Sequence, residues 1–239
     1  MVNMKTSLDI KPLLLVPVLA MLALPLIGSV DTWLTLSVAG LAMGMIIFIM
    51  ASGLTLVFGL MDVLNFGHGV FIALGAFVAT SVLSGMVDWT QSQELWRNLV
   101  AVGSAMALAM LAAAVIGLAF ERFIVRPVYG QHLKQILITM GGMIIGEEII
   151  KVIWGPLQIA LPLPEAMRGS LLWGDASLEK YRLMAVVVGL VVFALQAWTL
   201  SRTKVGLLIR AGVQDREMVE SLGYKIRRLF VGVFVVGSG

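Results

Sequence analysis

The chain has 239 residues, 59 % hydrophobic and 13 % charged, with a mean hydropathy of +0.98 and a formal net charge of +3. Soluble domains average about 45–50 % apolar and about 25 % charged, so the composition excludes an ordinary soluble fold and describes a polytopic membrane protein. The absence of cysteine excludes a disulfide framework and a thiolate metal site, and the small positive charge is spread over loops instead of massed as a nucleic-acid surface, so lipid is an expected partner and nucleic acid is not.

The spans should be helices, because a membrane barrel would show strands of about ten residues with alternating polarity, and none is present. A basic start with Lys5 and Lys11 leads into a first apolar run, Pro12–Gly28, interrupted by Pro17 and Pro25. Its pattern also suits a signal peptide, but further spans follow directly, and a retained first helix is expected. Trp33–Leu60 is the second run, with Gly40 and Gly44 as a small-xxx-small pair suited to close helix approach. Phe66–Met86 is the third, Arg97–Phe120 the fourth and Gln135–Trp154 the fifth. The fifth contains Gly142-x-x-x-Gly146 and the acids Glu147 and Glu148. Lys151 lies four residues after Glu147, which favours local pairing over a proton-carrying role. Gly155–Arg182 is the longest connection, flanked by Trp154 and Trp173, and Leu183–Leu200 is the sixth run. Leu229–Val236 begins a seventh that is too short to cross about 30 Å of hydrocarbon.

The expected fold is therefore an all-α, polytopic transmembrane helix bundle over residues 1–239, with about six complete spans and a truncated seventh. This threading puts the N-terminus, Glu121–Lys134 and Ser201–Arg228 on one side, with most of the 17 Lys and Arg. By the positive-inside rule that side is cytoplasmic.

The second and third runs meet in GLTLVFGLMDVLNFGHGVFIALGA, Gly53–Ala76, which is apolar but broken by Asp62, Asn65 and His68 among Gly59, Gly67 and Gly69. Irregular backbone at membrane depth survives only where protein buries it or a wet cavity meets it. The residues allow either a break inside the bundle beside a substrate route or a polar turn at the membrane surface. His68 reads more readily as a satisfied structural group than as a relay or ligand, since no metal-ligand spacing accompanies it.

Thr203–Arg228 is too polar for a span and too patterned for a loose linker. Asp215 can cap a helix, Met218, Val219 and Leu222 can share a face at its end, and Gly223 can stop it. The apolar face of that helix would need the headgroup region, the protein's own bundle or a partner's groove. No Walker-A loop, dinucleotide glycine loop or nucleophile elbow occurs, so the chain is expected to be neither an enzyme nor a nucleotide binder, with no cofactor of its own.

The Gly-Leu-Thr-Leu-x-Phe-Gly, Asn-Phe-x-His-Gly and Leu-Gly-Ala elements of Gly53–Ala76 resemble the signature of the permease subunits of bacterial importers for branched-chain amino acids, which are driven by ATP-binding cassettes. Glu121–Trp154 and Lys204–Arg228 reinforce the resemblance. It implies a path for branched-chain or other small neutral amino acids, with Gly53, Thr55, Asn65, Phe66, His68 and Gly69 near it. It also implies a coupling segment, residues 203–228, in which Gly212, Asp215, Met218, Val219, Glu220, Leu222 and Gly223 meet an ATPase subunit. The implied partners are a second and different permease subunit, two cytosolic ATPase subunits carrying ATP and Mg, and a periplasmic binding protein. The implied location is the bacterial inner membrane. Relatives continue through further spans, so the chain is expected to be cut short after Arg228. A permease of the same family for urea or short amides, an autonomous channel or ion-coupled carrier using Glu147, Glu148 or His68, and a scaffolding subunit are the competing readings.

Overall fold

A computed structural model describes residues 10–61, 63–224 and 226–238, and Lys5, Asp62 and Lys225 lie outside them. The apolar runs form helices α1 (Ile10–Ile27), α2 (Val30–Met61), α3 (His68–Gly85), a one-turn α4 (Val87–Thr90), α5 (Leu95–Phe120), α6 (His132–Trp154) and α7 (Lys180–Arg202). Three shorter helices close the chain: α8 (Lys204–Gln214), α9 (Arg216–Ser221) and α10 (Ile226–Ser238). The all-α membrane class holds. Among the described residues, four stretches, Val30–Gly59, His68–Gly85, Leu95–Val128 and Lys180–Arg202, are long and apolar enough to cross a membrane. The apolar parts of α1 and α10 are shorter, and α6 matches α7 in length but carries Lys134, Glu147, Glu148 and Lys151.

Helix α1 runs through both Pro17 and Pro25. It lies against α2, where the Trp33 indole N–H donates to the Ala20 carbonyl at 2.6 Å. Helix α5 buries Ala101, Ala105, Ala109, Ala113 and Gly117 at four-residue spacing. Such a seam of small residues brings helices close in a membrane, where packing and not water exclusion holds them. It takes α3 antiparallel, from Leu83 beside Ala101 and Ala105 to Phe71 against Phe120, and α10 near its end, while α10 also packs on α2 and α2 on α7. The main core lies at the α10 end of this arrangement, where Phe71 meets Phe120 and Phe234 edge to face at 5.3 and 6.1 Å, with Val57, Val63 and Val219 around them.

The connection after α6 is not a plain loop. It holds an antiparallel hairpin, β1 (Ser170–Trp173) and β2 (Ala176–Glu179), turned at Gly174 with φ +63°. Ala176 and Leu178 are buried against α2, and the Ser177 N–H donates to Thr35 Oγ1 at 3.2 Å. The preceding turn is pinned to α5: the Ala166 N–H donates to Asn98 Oδ1 at 3.3 Å, and Asn98 Nδ2 donates to the Ser92 and Glu94 carbonyls.

The glycine pairs behave differently from one another. A Cβ at Gly142 would meet the Phe120 ring at 2.7 Å and one at Gly146 would meet Val70 at 2.6 Å, so this pair does permit close packing. Gly40 and Gly44 have no described atom within 4 Å of such a Cβ, which corrects the expectation of a close helix approach there within this chain.

Candidate translocation and coupling site

The break between α2 and α3 is sunk into the protein. Helix α2 would extend for about 48 Å at 1.5 Å per residue, yet His68, the first residue of α3, bonds the carbonyl of Met50 through Nε2 at 3.1 Å. Met50 lies roughly 16 Å before the end of α2 by the same rise, so the chain after α2 runs back along the bundle before α3 begins. Val63, Asn65 and His68 are buried there. A carbonyl only accepts, so Nε2 carries the proton, and Nδ1 finds no partner among the described residues.

The turn is held by side chains as much as by backbone. Asn65 Oδ1 accepts the Gly67 N–H at 3.0 Å, and its Nδ2 is buried without a partner among the described residues. The Phe66 N–H donates to Thr139 Oγ1 at 3.3 Å, and that hydroxyl donates to the Gln135 carbonyl at 2.7 Å, which ties the turn to α6. Glycine is required at 67, where a Cβ would strike Phe120 at 2.7 Å. It is required at 53 for the same reason, since a Cβ there would collide with the Gly237 carbonyl and come within 3.0 Å of the His68 ring.

The six path candidates therefore divide. Gly53, Asn65 and His68 are packed in the junction of α2, α3 and α10, while Phe66 and Gly69 are exposed. Thr55 is exposed on α2 and lines a cleft of about 420 Å³ with Gly59, Leu200, Ile209, Arg210 and Gln214. Ile209, Arg210 and Gln214 come from α8, inside the 203–228 segment, but were not singled out there as site residues. The signals for α8 were Thr203, whose hydroxyl accepts the Gly206 N–H at 3.2 Å as an N-cap, and the three-residue spacing of buried Gly206, Ile209 and Gly212.

Asp215 joins α8 to α9. Its N–H donates to the Ala211 carbonyl at 2.9 Å, and its carboxylate accepts the Met218 N–H at 2.9 Å, so it caps α9 as its sequence position suggests. Gly223 follows with φ +86°. The expectation that Met218, Val219 and Leu222 share one face needs correction. Val219 is 2 % exposed and sits in the core with Val57 and Phe230, while Met218 and Leu222, 48 % and 66 % exposed, point away. Residues four apart stack on a helix, whereas adjacent ones are turned by about 100°. Gly212 is buried on α8 and Glu220 is exposed on α9.

Glu121, placed by sequence in a basic loop, is 1 % exposed. It opens a π-helical turn, Glu121–Val125, and accepts the Tyr129 hydroxyl at 2.6 Å. On α6, Lys151 pairs with Glu148 at 2.7 Å and not with Glu147 as expected from the four-residue spacing.

A buried, glycine-dependent break between membrane-length helices, next to a surface helix pair with an outward apolar edge, belongs to an all-α helical membrane protein. Residues 36–239 match the family model described as branched-chain amino acid transport system / permease component, and the chain belongs to that family. It is 27 % identical over 212 residues to the high-affinity branched-chain amino acid transport system permease protein BraD of Pseudomonas aeruginosa, covering 84 % of this chain and 66 % of that one. It is 26 % identical to the corresponding LivH proteins of Salmonella typhimurium, over 207 residues, and of Escherichia coli K12, over 205 residues, with 83 % and 65 % coverage in each case. The chain thus spans about two thirds of the length of these relatives. No solved structure matches.

Proposed function

We propose that the chain is a permease subunit of an ATP-driven importer in a bacterial inner membrane, with six crossings in the described chain, a cytoplasmic N-terminus and a path for branched-chain or other small neutral amino acids. The observation that carries this reading is the pairing of the family match over residues 36–239 with the outward Met218 and Leu222 on a capped helix. Exposed apolar side chains four residues apart, on a short helix and at its C-terminal end, suit insertion into a groove of a partner, here an ATPase subunit that carries ATP and Mg. A second permease subunit of different sequence and a periplasmic substrate-binding protein complete the assembly. The sunken turn supports a path beside α2: Asn65 Nδ2 and His68 Nδ1 are buried there without a partner among the described residues, and Thr55 and Phe66 remain open.

The test is uptake of radiolabelled leucine into proteoliposomes holding the assembled importer. Uptake that needs ATP inside and binding protein outside supports the reading. Uptake that persists without any ATPase, and falls with Glu147→Gln, favours an ion-coupled carrier instead.

A further inference from the structure

The cleft between α2, the end of α7 and α8 combines the path face of α2 with a cation that the sunken turn lacks. Its volume, about 420 Å³, falls within the range of about 300–1,000 Å³ that small-molecule sites occupy. Leu56, Ile209 and Val213 form its apolar wall, and Thr55, Arg210 and Gln214 are its polar groups. Among the described residues, no carboxylate lines it.

Arg210 is oriented by the fold. One guanidinium N–H donates to the carbonyl of Leu200 near the end of α7, as basic side chains do at helix C-termini. A guanidinium has five N–H donors in a planar fork, and Arg210 makes no ion pair among the described residues. The remaining donors match a carboxylate in the bidentate geometry that gives the strongest charge-assisted hydrogen bonds. The hydroxyl of Thr55 and the amide oxygen of Gln214 can accept from an ammonium, and the three aliphatic side chains suit an aliphatic substituent.

We propose that this cleft is a transit site for a zwitterionic, aliphatic amino acid at the α8 end of the path, with Arg210 as the residue that recognises the substrate carboxylate. The assignment rests on the permease reading and deepens it. It also links binding to the coupling segment: Asp215 ends α8 and caps α9, so displacement of α9 moves the helix that carries Arg210.

The test uses the native absence of cysteine. Val213→Cys is introduced into the full chain in phosphatidylcholine nanodiscs, and its rate of maleimide labelling is followed with leucine or leucinamide. Leucine should slow labelling and leucinamide, which lacks the carboxylate, should not. Arg210→Gln should raise the half-protecting leucine concentration about tenfold or more, as expected when a hydrogen bond to a charged group is lost, while Arg210→Lys keeps the preference for leucine. Equal protection by leucine and leucinamide, no protection by either, or protection by added phosphatidylglycerol alone overturns the assignment. No ATPase takes part, so failure here is distinct from failure of the importer reading, which the ATP dependence of uptake decides.

Discussion

The backbones of Gly53 and Gly237 are in contact: a Cβ on Gly237 would lie 2.9 Å from the Gly53 carbonyl oxygen. This is where α10 crosses α2, and the His68 ring closes the third side. Neither helix can carry a side chain at that point. Gly53→Val and Gly237→Val are each expected to destabilise the protein by at least about 1–3 kcal/mol, the usual cost of overpacking a close contact. Gly40→Val, where a Cβ meets nothing, should stay near wild type. Thermal unfolding in detergent, followed by loss of monodispersity, separates them.

His68 should act as a strut at the head of α3. His68→Ala removes the bond to the Met50 carbonyl and leaves a buried void. The expected loss is about 1–3 kcal/mol, combining a buried hydrogen bond and lost packing. Hydrogen exchange of the Gly67 to Phe71 amides should speed up in that variant, and His68→Gln, which keeps a donor, should restore part of the protection.

Asn98 ties three segments with one amide. Asn98→Leu removes its bonds to Ser92, Glu94 and Ala166 and leaves those groups to find other partners. Limited proteolysis between Gly155 and Gly169 should become faster, with a stability loss of about 1–3 kcal/mol. Unchanged cleavage would show that the buried Pro164 and the β2 contacts hold the segment without Asn98.

Lys151 and Glu148 form an exposed pair, with 51 % and 63 % of their side chains accessible. Such pairs contribute about 0–1 kcal/mol, so Glu148→Gln should leave the melting temperature nearly unchanged. Tyr129→Phe should cost more, because Glu121 is buried and loses the hydroxyl donor at 2.6 Å. The expected size is about 1–3 kcal/mol.

The long helices and the break were legible because hydropathy and the Asn65, Gly67, His68 cluster are local signals. How deep the turn sits was not, since that depends on Thr139 and Phe120 from distant helices. Glycines at 40, 44, 53 and 142 look alike in sequence, and only the element opposite decides which of them permit contact. The hairpin was hidden because Leu171, Leu172 and Trp173 do not alternate with polar residues. Helix α8 was missed because Thr203 marks its start without an acidic residue in the first turn. The short helix α9 was legible from Asp215 and Gly223, but Val219 was grouped with Met218 and Leu222 because the core that receives it comes from α2 and α10.

Co-purification of an ATPase subunit with the complete permease should be lost in Met218→Asp, Leu222→Asp while the permease stays monodisperse, because both side chains are exposed. Val219→Asp, which buries a charge in the core, should instead destabilise the permease itself. Retention of the ATPase by the double variant at wild-type stoichiometry would contradict the coupling role of α9 and, with it, the importer account.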